Sequence, residues 1–168
     1  RGKGAAIRTA LPYVKGRITI IQDSDLETDP QDYLHLIKPI QKEETNVVYG
    51  SRILGESHGM ATNPKSKFYL GGKFVTWFAN LVNGTKLTDV NTCYKMMRSD
   101  LIKDLNLECE RFEFCTEVNG KLARRKEKII ELPMHYYPRS LDEGKKLRII
   151  DGLEAIYTII KFRYFKRE

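Results

Sequence analysis

The apolar positions of this chain follow two rhythms that take turns. Short β-branched runs have the composition of buried strands: Ile18-Thr19-Ile20-Ile21 within residues 17–22, and Val47-Val48-Tyr49, closed by Gly50, within residues 46–52. Between and after them, apolar residues recur every three or four positions. Tyr33, Leu34, Ile37 and Ile40 predict a helix over 30–40, and Leu153, Ile156, Tyr157 and Ile160 predict another over 151–165. A helix over 66–82 is dense in Phe68, Phe74, Trp77, Phe78 and Leu81, an aromatic set that predicts core packing and would also suit contact with lipid. Residues 5–11 and 114–125 read as helices, and Ser99-Asp100 opens a short one. Residues 88–97 read as a strand, as do 128–132, where Pro133 ends the run. The stretches 53–64 and 136–146, rich in Gly, Ser, His, Asn and charge, read as loops. Alternating elements of this kind predict an α/β fold, a mixed sheet flanked by helices.

With 168 residues, 41% of them hydrophobic, the chain can bury one sizeable core and is expected to form a single domain over 1–168. It enters its first helix at once, with no strand ahead, the pattern expected of a chain cut inside a domain. No apolar run approaches the roughly 18 residues of a membrane span, so a soluble or peripheral protein is expected. The net charge of +7 is concentrated late: from residue 121 onward there are 13 Lys and Arg against 7 Asp and Glu, and before it 16 against 15. Such a basic excess suits phosphate groups, an anionic membrane surface or nucleic acid, although any one charge run is more often a solvated face. The helix over 151–165 ends in Lys161, Arg163, Lys166 and Arg167; this fits a packed helix with cations at its negative end, and equally an interfacial helix. Cys93, Cys109 and Cys115 are odd in number and lack metal-type spacing, which favours a reducing compartment. His35, His58 and His135 are scattered, and none is assigned to a metal.

The most specific chemistry sits where the first strand ends, in Gln22-Asp23-Ser24-Asp25-Leu26-Glu27. On an extended chain, side chains two apart point the same way, so Asp23, Asp25 and Glu27 can share a face. A divalent cation such as Mg²⁺ or Mn²⁺ prefers hard oxygen ligands and is commonly held by one or two carboxylates plus substrate phosphates. Ligands of open α/β sheets gather at the carboxyl ends of strands, where this acidic segment falls. Helix capping accounts for Asp29 ahead of Pro30, but not for the Asp-Ser-Asp.

Several segments in order resemble one family: Gly2-Lys3-Gly4-Ala5-Ala6, the acidic segment, Val47-Val48-Tyr49-Gly50-Ser51-Arg52, Asp89-Val90-Asn91-Thr92-Cys93-Tyr94-Lys95, Leu132-Pro133 and Tyr137-Pro138-Arg139. The chain resembles family 2 glycosyltransferases of the GT-A fold, in the branch similar to dolichyl-phosphate mannose synthases and bacterial polyprenyl-phosphate sugar transferases. Members of that family begin with strand–helix units that help bind the nucleotide base, and by this resemblance the chain is expected to lack the first βα units. The resemblance implies a nucleoside-diphosphate sugar donor, Mg²⁺ or Mn²⁺, transfer with inversion, and a polyprenyl-phosphate or glycan acceptor at the cytoplasmic face of a membrane, with possible peripheral membrane contact. It implies Asp23, Asp25 and Glu27 around the metal, Arg52 as a phosphate contact, Asp89 near the donor sugar, and Arg139 with Lys145 and Lys146 in a basic closing loop. Lys3 falls near the donor by position, although Gly2-Lys3-Gly4 is not a full phosphate-binding signature. Glu117 fits an acid on the next helix, whereas Cys115 departs from an acidic residue common nearby.

Charge alone explains why such residues would suffice. Breaking a sugar–phosphate bond builds negative charge on the leaving diphosphate, which a cation and nearby Arg and Lys stabilise most in the transition state. A phosphate acceptor is largely dianionic at neutral pH and needs no strong base. A sugar hydroxyl would need one, with Asp89 the first candidate and Glu117 the second. Two other readings are carried: a noncatalytic remnant or interaction module of the same fold, and a basic nucleic-acid-binding domain. No recognised motif supports the latter, so no nucleic-acid partner is expected.

Overall fold

A computed structural model describes residues 2–62, 67–138 and 149–165. Four strands form one mixed sheet: β1 (Ile18–Ile20), β2 (Val47–Ser51), β3 (Lys95–Arg98) and β4 (Ile129–Pro133), in the order β1-β3-β2-β4. β3 runs antiparallel to both neighbours, with Met97 opposite Thr19 on one side and Val47 on the other, and β2 pairs in parallel with β4 from Val47↔Ile129 to Ser51↔Pro133. All five residues of β2 are buried, as a central strand covered on both faces requires. Its alternate side chains enter two cores. Val47 and Tyr49 join Val75, Ala79, Val118, Leu122 and Ile159 on one side, while Val48 joins Leu36, Ile40, Tyr94, Met96 and Met134 on the other. The α/β expectation therefore holds. Each fully buried aliphatic side chain contributes roughly 1.5–3 kcal/mol.

Eight helices among the described residues complete the layers: α1 (Lys3–Ala10), α2 (Tyr33–Leu36), α3 (Lys38–Gln41), α4 (Arg52–Ser57), α5 (Lys67–Asn83), α6 (Ser99–Asp104), α7 (Phe114–Arg124) and α8 (Ile149–Ile160). α8 runs on into a π-helical turn, Lys161–Phe165. The helix expected over 30–40 is instead a 3₁₀ turn (Pro30–Asp32) followed by α2 and α3, broken near Pro39, which has no N–H to give the ladder. Leu34 is exposed there, and Leu36 packs inward in its place.

Two stretches depart further from expectation. Residues 53–64 do not form a loop throughout, because α4 occupies the first half. Ser51 accepts the Leu54 N–H at 3.1 Å and the Asp89 carboxylate accepts the Arg52 N–H at 3.2 Å, so two of the helix's orphan donors are satisfied. Residues 88–97 are strand only from Lys95, since the amides of Thr88 and Asp89 turn to the Glu131 carboxylate at 2.6 and 3.0 Å and that of Val90 to the Thr76 hydroxyl at 3.3 Å.

The aromatic face of α5 also departs from core packing. Val75, Thr76 and Ala79 are buried, whereas Leu70, Phe74, Trp77 and Leu81 stand in solvent. α8 packs against α5 and α7, burying Asp151, Ala155, Thr158 and Ile159, with Phe162 just beyond it, and turns Leu153 and Tyr157 outward. No described helix is long and apolar enough to cross a membrane.

Candidate active site

The acidic segment leaves β1 at Ile20 and keeps the alternation of an extended chain. Asp23, Asp25 and Glu27 are half-buried, whereas Gln22, Ser24 and Leu26 between them are exposed. Gln22 anchors the start of the segment, its side-chain carbonyl accepting from the hydroxyls of Tyr33 and Tyr94. Each carboxylate has its own surroundings. Lys3 Nζ donates to Asp23 Oδ2 at 2.7 Å. Burial works against the charge on Lys3, yet the neighbouring Cys115 sulfur and the Asp23 carboxylate, with the hydrogen bond to Asp23, outweigh it and raise its pKa. Asp25 Oδ1 accepts the Glu27 N–H at 3.2 Å across a turn in which Leu26 takes φ +60°. Glu27 Oε2 accepts from the Tyr136 hydroxyl at 3.1 Å.

Lys3 reaches Asp23 because α1 starts against the backbone of residues 109–111. The Ala5 amide donates to the Glu110 carbonyl at 2.9 Å, and a Cβ on Gly4 would collide with the Cys109 carbonyl. Glycine at position 4 is what lets the helix N-terminus lie this close.

The second centre lies at the end of β2. Arg52 grips Asp89 with both arms of its guanidinium, Nε to Oδ2 at 2.7 Å and Nη2 to Oδ1 at 2.8 Å, with the Asp89 side chain 5% exposed. Burial opposes both charges, but the pairing wins, raising the pKa of Arg52 and lowering that of Asp89. Glu131 on β4 holds the Asp89 segment through the two backbone amides already named, and burial raises its own pKa despite those donors. Replacing Glu131 by glutamine turns an N–H₂ towards one of those amides. E131Q is therefore expected to cost about 1–3 kcal/mol, read as a lower urea-unfolding midpoint with an unchanged slope.

Tyr136 joins the two centres. Its hydroxyl reaches Glu27 and its ring lies 5.3 Å from the Arg52 guanidinium, while the Tyr137 amide donates to the Glu27 carbonyl at 2.8 Å. Burial pushes the Tyr136 phenol up to about 12, so it stays a donor at neutral pH. Neither Tyr136 nor Glu131 stood out in the sequence. Their one signal was position, within β4 and just after it, on the chain that returns to the acidic segment.

The structure thus brings Lys3 to Asp23 and Arg52 to Asp89, with Glu27 linked to Arg52 through Tyr136. Arg139, Lys145 and Lys146, assigned to a closing loop, lie outside the described residues. Glu117 sits in the core: its oxygens accept the amides of Glu108 and Cys109 at 2.7 and 2.8 Å and pair with Lys121 at 3.0 Å. It is fully buried there, a structural anchor rather than a base facing substrate. No three His, Cys, Asp or Glu side chains among the described residues converge into a ready-made metal cluster. The donor set instead fits an ion held by one or two carboxylate oxygens, with the remaining ligands from a diphosphate and water.

A mixed sheet covered on both faces, with an acidic segment and a buried arginine–aspartate pair at its strand ends, defines a GT-A-like domain. Glucosyl-3-phosphoglycerate synthase from Mycobacterium tuberculosis, solved with Mn²⁺, uridine diphosphate and phosphoglyceric acid, shares this fold at a TM-score of 0.66 and 15% identity, covering 100% of this chain and 56% of its own. The chain belongs to Glycosyl transferase family 2, whose model matches residues 1–105. It is 27% identical over 117 residues to dodecaprenyl-phosphate galacturonate synthase of Rhizobium johnstonii, covering 67% of this chain and 32% of that protein. With UDP-N-acetylglucosamine–dolichyl-phosphate N-acetylglucosaminyltransferase of Methanococcus voltae it shares 25% identity over 173 residues, covering 99% of this chain and 67% of that one. The chain therefore spans about a third of the length of the first relative and two thirds of the second.

Proposed function

We infer that this chain carries the diphosphate-binding part of a metal-dependent, inverting glycosyltransferase that moves a sugar from a nucleoside-diphosphate sugar to a polyprenyl phosphate. The observation that carries the reading is the half-buried carboxylate segment linked through Tyr136 to the Arg52–Asp89 pair. Relatives named for dodecaprenyl and dolichyl phosphates support the acceptor class, and the mycobacterial synthase solved with Mn²⁺ or with Mg²⁺ supports the metal. Asp25 would hold the ion with Asp23, and Glu27 stands beside them. When bound, such an ion supplies charge to neutralise the leaving diphosphate.

This chain's own residues do the rest by position and charge. Lys3 balances Asp23 and adds a cation beside the diphosphate. Asp89 holds Arg52 rigid and ionised, its guanidinium directed by Tyr136 towards the rim. In the transfer step an acceptor phosphate oxygen forms the bond to the anomeric carbon as the bond from that carbon to the diphosphate oxygen breaks, and the nucleoside diphosphate leaves with the electron pair. No proton moves. A hydroxyl acceptor would need a base, and here the two candidates are poor ones: Asp89 has a lowered pKa with both oxygens on Arg52, and Glu117 is buried. That contrast favours a phosphate acceptor.

A screen of nucleotide sugars against polyprenyl phosphate with Mn²⁺ or Mg²⁺, on the protein at its natural length, tests the reading. Transfer that stops when the metal is chelated is expected. Transfer to a free sugar in preference to the lipid phosphate would overturn the acceptor assignment.

A further inference from the structure

We propose that Lys95 is a positioning residue of the diphosphate site: its buried ammonium fixes the turn over residues 89–92, and through that turn the aim of Asp89 on Arg52. What Arg52 meets is taken from the transferase reading, whereas the action of Lys95 on it follows from the core. Lys95 opens β3 opposite Tyr49 of β2 and is only 1% exposed. A charge that deep persists only where it is answered. Nζ donates to the Val90 carbonyl at 2.8 Å and to the Thr92 carbonyl at 3.0 Å, and it lies 4.1 Å from the centre of the Tyr49 ring, whose face attracts a cation. Two carbonyls and one ring face match the three N–H bonds of an ammonium.

The turn is thereby held from both sides. The amides of Thr88 and Asp89 go to Glu131 and that of Val90 to Thr76, while Lys95 draws two carbonyls of the same turn inward and the Thr92 hydroxyl donates to the Gly50 carbonyl of β2. Fixed in this way, Asp89 sets both carboxylate oxygens on the Arg52 guanidinium, at 2.7 and 2.8 Å. Burial opposes the Asp89 charge, and the field of Lys95 supports it in the same sense as the pairing with Arg52.

Stability alone does not account for this lysine. Burial lowers its pKa, against the neighbouring Cys115 sulfur and the Asp89 carboxylate, which favour the ammonium. A folded value below the unfolded one means that the charge costs folding free energy at neutral pH, a cost relieved as pH rises through the folded value towards about 10.4. A methionine would fill a similar space without that cost. A fixed cation behind a buried aspartate is instead what a preorganised phosphate site uses.

Urea unfolding of Lys95→Met, Asp89→Asn and the double variant reads the link without any donor. Lys95→Met is expected to change the unfolding constant at least about threefold less in the Asp89→Asn background than in the wild type. Losses that simply multiply overturn the proposal. Binding of Mg²⁺ with whichever of uridine or guanosine diphosphate the wild type takes up reads the link to Arg52. Lys95→Met should weaken it about tenfold, and in an Arg52→Ala background should change it by less than about twofold. An equal loss in both backgrounds means that Lys95 does not act through Arg52.

The wild type decides the matter if the variants do not fold, because its nucleotide affinity should fall as pH rises from neutral to about 10. The groups facing Lys95 are Tyr49 on β2, Asp89 and Cys93 ahead of β3, Cys115 on α7 and Lys3 on α1. Tyr49 and Lys3 are raised and burial pushes the Cys93 thiol up to about 11, so these three titrate later. A flat profile overturns the proposal. Absence of nucleotide binding by the wild type counts against the transferase reading, and the unfolding cycle then still decides whether Lys95 holds Asp89.

Discussion

Arg52→Ala is expected to lower the unfolding free energy at neutral pH by about 3 kcal/mol, because it strands the Asp89 carboxylate in a site where that side chain is only 5% exposed. Removing one member of a buried, bidentate pair leaves a charge with no compensating partner, whereas the pair as a whole contributes much less. The pH dependence separates this cause from simple loss of packing. In the wild type the Asp89 pKa is lowered, so its stabilising contribution is complete above the unfolded aspartate value of about 3.9 and is lost as pH falls through the folded value. Without Arg52, burial instead favours the neutral acid, and protonation relieves the variant. Urea unfolding at neutral pH and near pH 3 should therefore show a gap between the two proteins that narrows with acid. A gap of constant size would show that the guanidinium acts through packing alone. On the proposed function, in which Arg52 meets a donor phosphate, donor binding should also weaken.

Asp25→Ala should reduce metal-dependent transfer by about a hundredfold or more while leaving the melting transition nearly unchanged. The asymmetry follows from surroundings. Asp23 is tied to Lys3, Glu27 is tied to Tyr136, and Asp25 makes a local turn contact with the Glu27 amide on a half-buried segment. Asp25 is the proposed direct ligand of the ion, and its contact with the Glu27 amide lies within its own turn. Asp23→Ala should be milder on metal binding and should leave the Lys3 ammonium without its carboxylate partner. Equal losses in the two variants would mean that both oxygens ligate the ion directly.

Sheet and acidic segment were legible because each obeys a simple period. The contiguous run Val47-Val48-Tyr49 could only be a strand buried on both faces, and the alternation of Asp23, Asp25 and Glu27 survives past the end of β1 at Ile20 as an alternation of burial. What stayed hidden depends on partners far away in sequence. α4 starts where a strand residue, Ser51, doubles as a cap and where Asp89, 37 residues on, takes the Arg52 amide. Glu131 reads as an ordinary strand glutamate until its oxygens meet amides 42 and 43 residues earlier. Tyr136 acquires a role only when β4 returns it to the acidic segment. For α5 the spacing of apolar residues was right, but aromatic content does not say which side faces the core, and the small and polar Ala79 and Thr76 took the buried positions.

The account rests on one physical claim, that the carboxylates after β1 bind a cation jointly with a diphosphate. Electron paramagnetic resonance of Mn²⁺ measures this directly, since the free aqueous ion gives a strong signal that is lost on binding. Titrating the protein with Mn²⁺ in the presence of a nucleoside diphosphate should remove that signal at a one-to-one ratio for wild type, and should leave it for Asp25→Ala. Identical titrations for the two proteins, or nucleotide binding that is unchanged when the metal is chelated, would contradict it.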